Sequence, residues 1–119
     1  MERAMITISE SGYVNIPDGN IWMSEMELVE LFGVIAPKLR AAIKAIYKNG
    51  TLCAITTQRC KLATPQNWAT YYNHDVVIAL AFRLSTYDAS RIRQKVLEGF
   101  SHRNDSLFII WFGEKYMRN

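Results

Sequence analysis

Six cations stand in a stretch of chain that contains no carboxylate: Lys38, Arg40, Lys44, Lys48, Arg59 and Lys61 all fall within residues 31–74, where neither Asp nor Glu occurs. Residues 1–30 are the reverse, with six acids against Arg3 alone, and residues 75–119 are mixed. A cationic block of this kind suits an anionic partner, above all a phosphate backbone, although the formal net charge of the chain is only +3. Nucleophilic and metal chemistry have less to stand on. Cys53, Cys60, His74 and His102 are the soft ligands, and their spacing matches no zinc pattern. His74 fits a capping or hydrogen-bonded residue at the start of a helix. The carboxylates fall at helix starts and turns, and the sequence has no P-loop, no GxGxxG and no Gly-rich nucleophile elbow. The expectation is a protein that is not an enzyme and uses no metal and no cofactor.

The chain that must position these cations has 119 residues, half of them apolar. One domain of that size buries enough surface to fold without disulfides or metal. Two cysteines make no disulfide framework, so a reduced, cytoplasmic setting is expected. The apolar run at residues 107–112, like the one at 76–82, falls well short of the roughly 20 residues that a membrane span requires. The N-terminus lacks the order of a signal peptide, and no membrane partner is expected.

Period-two alternation in residues 5–9 and 13–16, around Glu10-Ser11-Gly12, predicts a β-hairpin. Pro17-Asp18-Gly19-Asn20 is a turn, and Ile21-Trp22-Met23 a short third strand. Ser24 with Glu27 forms a capping box for a helix that should present Met26, Leu28, Val29 and Phe32 to a core and stop at Gly33. A second helix is expected from Ala36, with Pro37 at its first position, to about Lys48, closing on Asn49-Gly50. Leu39, Ala42, Ile43 and Ile46 commit one face of it to packing.

Two short helices joined by a tight glycine-containing turn read as a helix-turn-helix. Beyond them, residues 59–63 and 68–72 read as a hairpin about Thr64-Pro65-Gln66-Asn67, in the place of a wing. Asn73 should cap a helix that is apolar over 76–84 apart from Arg83, followed by an amphipathic helix over about 88–100 with Ala89, Ile92, Val96 and Phe100 on one side. The expected fold class is therefore α+β: a winged helix-turn-helix-like domain over residues 1–105, with an N-terminal β-hairpin and two additional C-terminal helices. Residues 106–119 are expected to be an apolar tail for docking or dimerisation.

The run Gly19-Asn20-Ile21-Trp22-Met23-Ser24, then Glu30-Leu31-Phe32-Gly33-Val34 and residues 43–50, is similar to the N-terminal region of the RhuM-like virulence-protein family. Residues 71–84, beginning Tyr71-Tyr72-Asn73-His74-Asp75, resemble that family's most recognisable stretch, and Arg91-Ile92-Arg93-Gln94 the segment after it. The resemblance spans about residues 6–100. It implies a bacterial, often mobile-element-associated protein whose N-terminal module binds DNA through a helix-turn-helix. The chain departs from the family at the start of the second helix, where Ile35, Ala36, Pro37, Lys38 and Leu39 stand in place of a polar Ser/Arg/Thr-rich opening.

On a helical projection, Pro37, Ala41, Lys44 and Lys48 lie opposite the apolar face, with Arg40 at the edge. This arc is basic but poor in base-reading side chains, so phosphate contact is better supported than sequence reading. The expected DNA-contacting residues are Lys38, Arg40, Ala41, Lys44, Lys48, Arg59 and Lys61. Four to six of the cations on phosphates give a log–log salt slope of roughly −3.6 to −5.4. The same lysines also suit a solvated helix face, and Arg59 and Lys61 also suit a protected edge strand. Trp68, Tyr71 and Tyr72 can stack on single-stranded bases, but core packing fits their type better. The expected partners are double-stranded DNA and a second copy of the chain in a homodimer. The alternative is a protein-interaction module with a protein partner.

Overall fold

The structure is a computed structural model that describes residues 3–64 and 67–101. It is an α+β fold. Strands β1 (Thr7–Ile8) and β2 (Val14–Asn15) form a two-stranded antiparallel hairpin, shorter than the period-two pattern suggested, turned at Gly12 with φ 91°. Strand β3 (Trp22–Ser24) leads into helix α1 (Glu25–Phe32), and helix α2 (Ala36–Lys48) follows after three residues. Helix α3 (Ala54–Thr57) precedes strands β4 (Gln58–Thr64) and β5 (Asn67–Asn73); helices α4 (His74–Arg83) and α5 (Tyr87–Ser101) complete the described chain. β3, β5 and β4 form a three-stranded antiparallel sheet with β5 in the middle. Residues 107–112, His102 and the tail over 106–119 lie outside the described residues, as does the centre of the expected turn at Pro65-Gln66.

Helix α4 is the hub. Val76, Val77, Ala79, Leu80 and Ala81 are buried, and the helix packs against α5, α2, α3 and β5. Around it gather Leu28 and Phe32 of α1, Leu39, Ile43 and Ile46 of α2, Ala89 and Ile92 of α5, and Ile6, Val14, Ile21 and Met23 from the strand segments. Asn73 caps α4, its Oδ1 accepting from the backbone N–H groups of Asp75 and Val76. At the other end Arg93 of α5 donates to the carbonyls of Ala81 and Leu84 at 2.6 and 2.8 Å, satisfying acceptors that the last turn leaves open.

The junction of β3 and α1 is fixed by a complete capping box: Ser24 Oγ accepts from the Glu27 N–H, and Glu27 Oε1 accepts from the Ser24 N–H at 2.8 Å. Arg3 then grips both oxygens of Glu27, at 2.6 and 3.1 Å, and donates to the Trp22 carbonyl. Gly33 closes α1 in the left-handed region, φ 64°, with its N–H on the Val29 carbonyl. Met26 is corrected: it is 77% exposed, because Leu28, Leu31 and Phe32 set the buried face and Met26 lies two residues, about 200° of helix rotation, from Leu28. Pro37 is also displaced by one position. Ile35 is the N-cap, without a side-chain cap, and Ala36 is the first helical residue. The second position tolerates proline for the same reason as the first, since its N–H has no partner within the helix.

Burial pushes the Glu27 carboxyl up, but Arg3 and the Ser24 N–H outweigh it and hold the group below the usual carboxylate range. A depressed carboxylate pKa means that the ionised form stabilises the fold above the unfolded pKa, and that this contribution is lost as pH falls through the lower, folded value. Acid titration of unfolding should therefore show stability falling below about pH 4 in the native chain. In Glu27→Gln the dependence should be shallower and neutral-pH stability lower by about 2 kcal/mol. Identical pH profiles for the two proteins would refute this assignment.

Candidate nucleic-acid interface

Helix α2 buries Leu39, Ala42, Ile43 and Ile46 and turns a regular arc outward. Pro37, Ala41, Lys44 and Lys48 succeed one another at three- and four-residue steps along that arc, all exposed, and Lys38 is exposed on one flank. Ala41, the smallest side chain in the line, leaves the middle of the arc low. The helix carries no carboxylate, and among the described residues no ion pair involves Lys38, Lys44 or Lys48.

Arg40, on the other flank, is differently placed. Its Nε donates to Glu25 Oε1 at 2.9 Å and a terminal nitrogen stands 2.7 Å from the same oxygen, tying α2 to the first turn of α1. The hydrogen bond from Arg40 to the Glu25 carboxylate raises the arginine pKa, and the pair remains exposed to solvent. Such a pair is weak and exchangeable. It nevertheless removes one cation from the free set.

The sheet is attached to α2 through Thr57. Its hydroxyl donates to the Cys53 carbonyl at 2.7 Å, so the Tyr47 hydroxyl, 3.0 Å away, is the donor to Thr57 Oγ1. Burial pushes the phenols of Tyr47 and Tyr72 up, and Tyr47 and Glu25 lie close enough to Tyr72 to add to its shift. The four-residue α3 that supplies Thr57 interrupts what the sequence suggested was a direct passage from the second helix into the hairpin.

Register divides the sheet into two faces. Met23, Tyr72 and Gln58 lie in one cross-strand row, with Cys60 opposite Thr70 and Leu62 opposite Trp68 further along the same face. Met23 is buried and Tyr72 packs on the core, with Tyr47 of α2 close to Tyr72, so this is the core-facing side of the sheet. Ser24, Tyr71 and Arg59 form the next row, on the other face, with Lys61 opposite Ala69. There the Arg59 guanidinium lies over the Trp22 ring at 4.6 Å, and the Arg3 guanidinium over Tyr71 at 4.7 Å. The expected positive surface is thus split. Lys38, Arg40, Ala41, Lys44 and Lys48 share α2, whereas Arg59 occupies the sheet face turned away from it, and Lys61 follows Arg59 in register.

Trp68 corrects the expectation that it, Tyr71 and Tyr72 pack as core: it is 71% exposed, while the two tyrosines are half-buried. The sequence reading also missed Glu25 as the partner of Arg40, and Arg3 as the partner of both Glu27 and Tyr71. Alternation along β3 and β5 places Trp22 and Tyr71 on one face, but nothing local in the sequence brings Arg3 there. His74 does not cap α4, which Asn73 does; its Nε2 lies 3.3 Å from Asp75 Oδ1. Cys53 and Cys60 are exposed, with Cys60 Sγ 3.5 Å from Thr70 Oγ1. Among the described residues no three His, Cys, Asp or Glu side chains gather as a metal site, and no helix is long and apolar enough to cross a membrane.

Because Thr57 joins α2, α3 and β4, Thr57→Val should lower the unfolding free energy by about 1–2 kcal/mol in urea titrations. An unchanged midpoint would show that the Tyr47–Thr57–Cys53 chain does not hold the sheet to α2. In comparisons with known proteins, the chain matches no family model, no curated protein and no solved structure.

Proposed function

We propose that this protein binds duplex DNA without catalysis, laying the outer arc of α2 against the phosphate backbone. The observation that carries the reading is the set of Lys38, Lys44 and Lys48, exposed on a helix with no carboxylate and without ion-pair partners among the described residues. In this reading α1, the left-handed turn at Gly33 and α2 are the helix-turn-helix, and the β4–β5 hairpin is the wing of a winged helix. In this reading the protein is a bacterial, cytoplasmic regulator acting as a dimer, and the DNA-binding part of it is what the resemblance of residues 6–100 to the RhuM-like family implies. Contact is with phosphates more than bases, since Ala36, Pro37 and Ala41 offer no hydrogen bonds to base edges.

A second reading, a protein-interaction module, is favoured by one observation. Ile35, 69% exposed at the entrance to α2, places an apolar side chain where a base-reading helix would carry a polar one.

Salt titration separates the two. Three phosphate contacts per chain give a slope of log affinity on log salt of about −2.7. Lys44→Glu with Lys48→Glu should abolish duplex binding while leaving the circular dichroism and melting curve unchanged. Glu25→Gln should free Arg40 and steepen the slope by about 0.9. Salt-independent affinity, or a double variant that binds like the native chain, would defeat the DNA reading and leave the interaction module.

A further inference from the structure

Two cations of α5 are held without an acid. Arg91 and Lys95 are four residues apart, so they share one face of the helix with Cβ atoms about 5–6 Å apart. Both are half-buried, and among the described residues neither takes part in an ion pair. Each lies over a phenol ring instead. The Arg91 guanidinium stands 4.4 Å from the centre of the Tyr87 ring, and Lys95 Nζ 4.9 Å from that of Tyr13. A ring steadies a cation without cancelling its charge, and like charges one helical turn apart repel. An anion between them would relieve both.

The tip of the first hairpin shapes the place for it. A Cβ on Gly12 would overlap the Arg91 guanidinium, so the turn closes directly on the arginine. Arg91 also donates to the Tyr87 hydroxyl at 3.0 Å, which fixes the plane of its fork and leaves further N–H groups to give. Between turn and helix lies an open notch of about 270 Å³, with Tyr13, Arg91, Gln94, Lys95 and Glu98 as its polar lining. The neighbouring acids leave the two cations in surplus. Asp88, one turn before Arg91, lies against Gly33 instead, and Glu10, two residues before Gly12, is exposed and forms no ion pair among the described residues. Glu98 is the carboxylate of the lining, and it accepts from Gln94 Nε2 at 3.4 Å.

We propose that this notch binds a small phosphorylated molecule, its phosphomonoester held between Arg91 and Lys95. Charge selects the group: a phosphomonoester carries about −1.5 to −2 and so matches two cations, where a carboxylate or a phosphodiester carries one charge. The guanidinium fork suits two phosphate oxygens and the ammonium a third. The Tyr13 hydroxyl and the Gln94 amide are further donors at the rim, and Glu98 accepts from hydroxyls on the rest of the molecule while repelling a second anionic group. The ligand is therefore a hydroxylated monophosphate. The notch is at the small end of ligand cavities, which favours such a molecule over a macromolecule. The inference is independent of the DNA reading, which concerns the lysines of α2.

The test uses the full chain in phosphate-free buffer, read by calorimetry and by amide chemical shifts, with glycerol 3-phosphate, inorganic phosphate, dimethyl phosphate and glycerol as probes. Glycerol 3-phosphate should saturate one site, shift the amides of Gly12, Tyr13 and Lys95, and bind about tenfold more tightly than dimethyl phosphate. Glycerol should not bind. Lys95→Gln should weaken glycerol 3-phosphate about tenfold with an unchanged melting curve. Arg91→Lys, which keeps the charge and loses the fork, should weaken it by a similar factor; if that variant loosens the hairpin, Lys95→Gln decides. Equal affinity for the monoester and the diester, shifts confined to α2, or full affinity in Lys95→Gln would overturn the site. Inorganic phosphate binding as tightly as glycerol 3-phosphate would overturn the organic part of the ligand. If duplex DNA displaces glycerol 3-phosphate and Lys95→Gln weakens the duplex as well, the two cations belong to a nucleic-acid surface and the small-molecule site is overturned. Loss of the DNA reading alone leaves every one of these outcomes readable.

Discussion

A helix that is apolar on nearly every side has to be enclosed, and α4 imposes that demand on the whole molecule. Val76, Val77, Ala79, Leu80 and Ala81 are buried, Asp75, Ile78 and Phe82 are partly covered and His74 and Arg83 are exposed, so other elements must surround most of it: α2 and α3 on the approach from the middle of the chain, α5 from the end, β5 from the sheet that delivers it. The polar groups at its ends are met by side chains, Asn73 at one and Arg93 at the other. Once α4 is covered, little freedom remains. α2 must give Leu39, Ile43 and Ile46 to the core, and its lysines are outward by subtraction.

The placement of α2 explains why charge alone was an incomplete guide. A stretch without carboxylates is a property of the chain, and a positive surface is a property of the fold. Between them comes the pleat of β4, which sends Arg59 to the face of the sheet that α2 does not share. Glu25, an acid from outside the stretch, reaches Arg40 within it. What remains on α2 is a smaller patch of Lys38, Lys44 and Lys48, exposed and without ion-pair partners among the described residues.

Much of the fold was legible wherever a side chain acts on its own backbone. The Ser24–Glu27 box, the left-handed Gly33, the proline-tolerant first turn of α2 and the Asn73 cap are decided within a few residues of themselves, and each stands where the local chemistry put it. Periodicity did less well over α1, where five apolar candidates among eight residues admit two phases, and Met26 was assigned inward while Leu31 was passed over. Four-residue α3 is too short to have a phase. The site suffered more than the fold, because which face of a hairpin looks at α2 depends on packing between elements far apart in sequence. The exposure of Trp68 and the arrival of Arg3 over Tyr71 belong to the same class of fact.

The bonds from Arg93 to the last carbonyls of α4 tie the fate of two helices together. A helix end normally frays on its own, each residue exchanging its amide proton faster than the one before. Here the final turn of α4 is stapled by a side chain that exists in place only while α5 is docked. Undocking α5 would expose two acceptors as well as Ile92, so the pair should open and close as a single cooperative unit rather than unravel stepwise from the terminus.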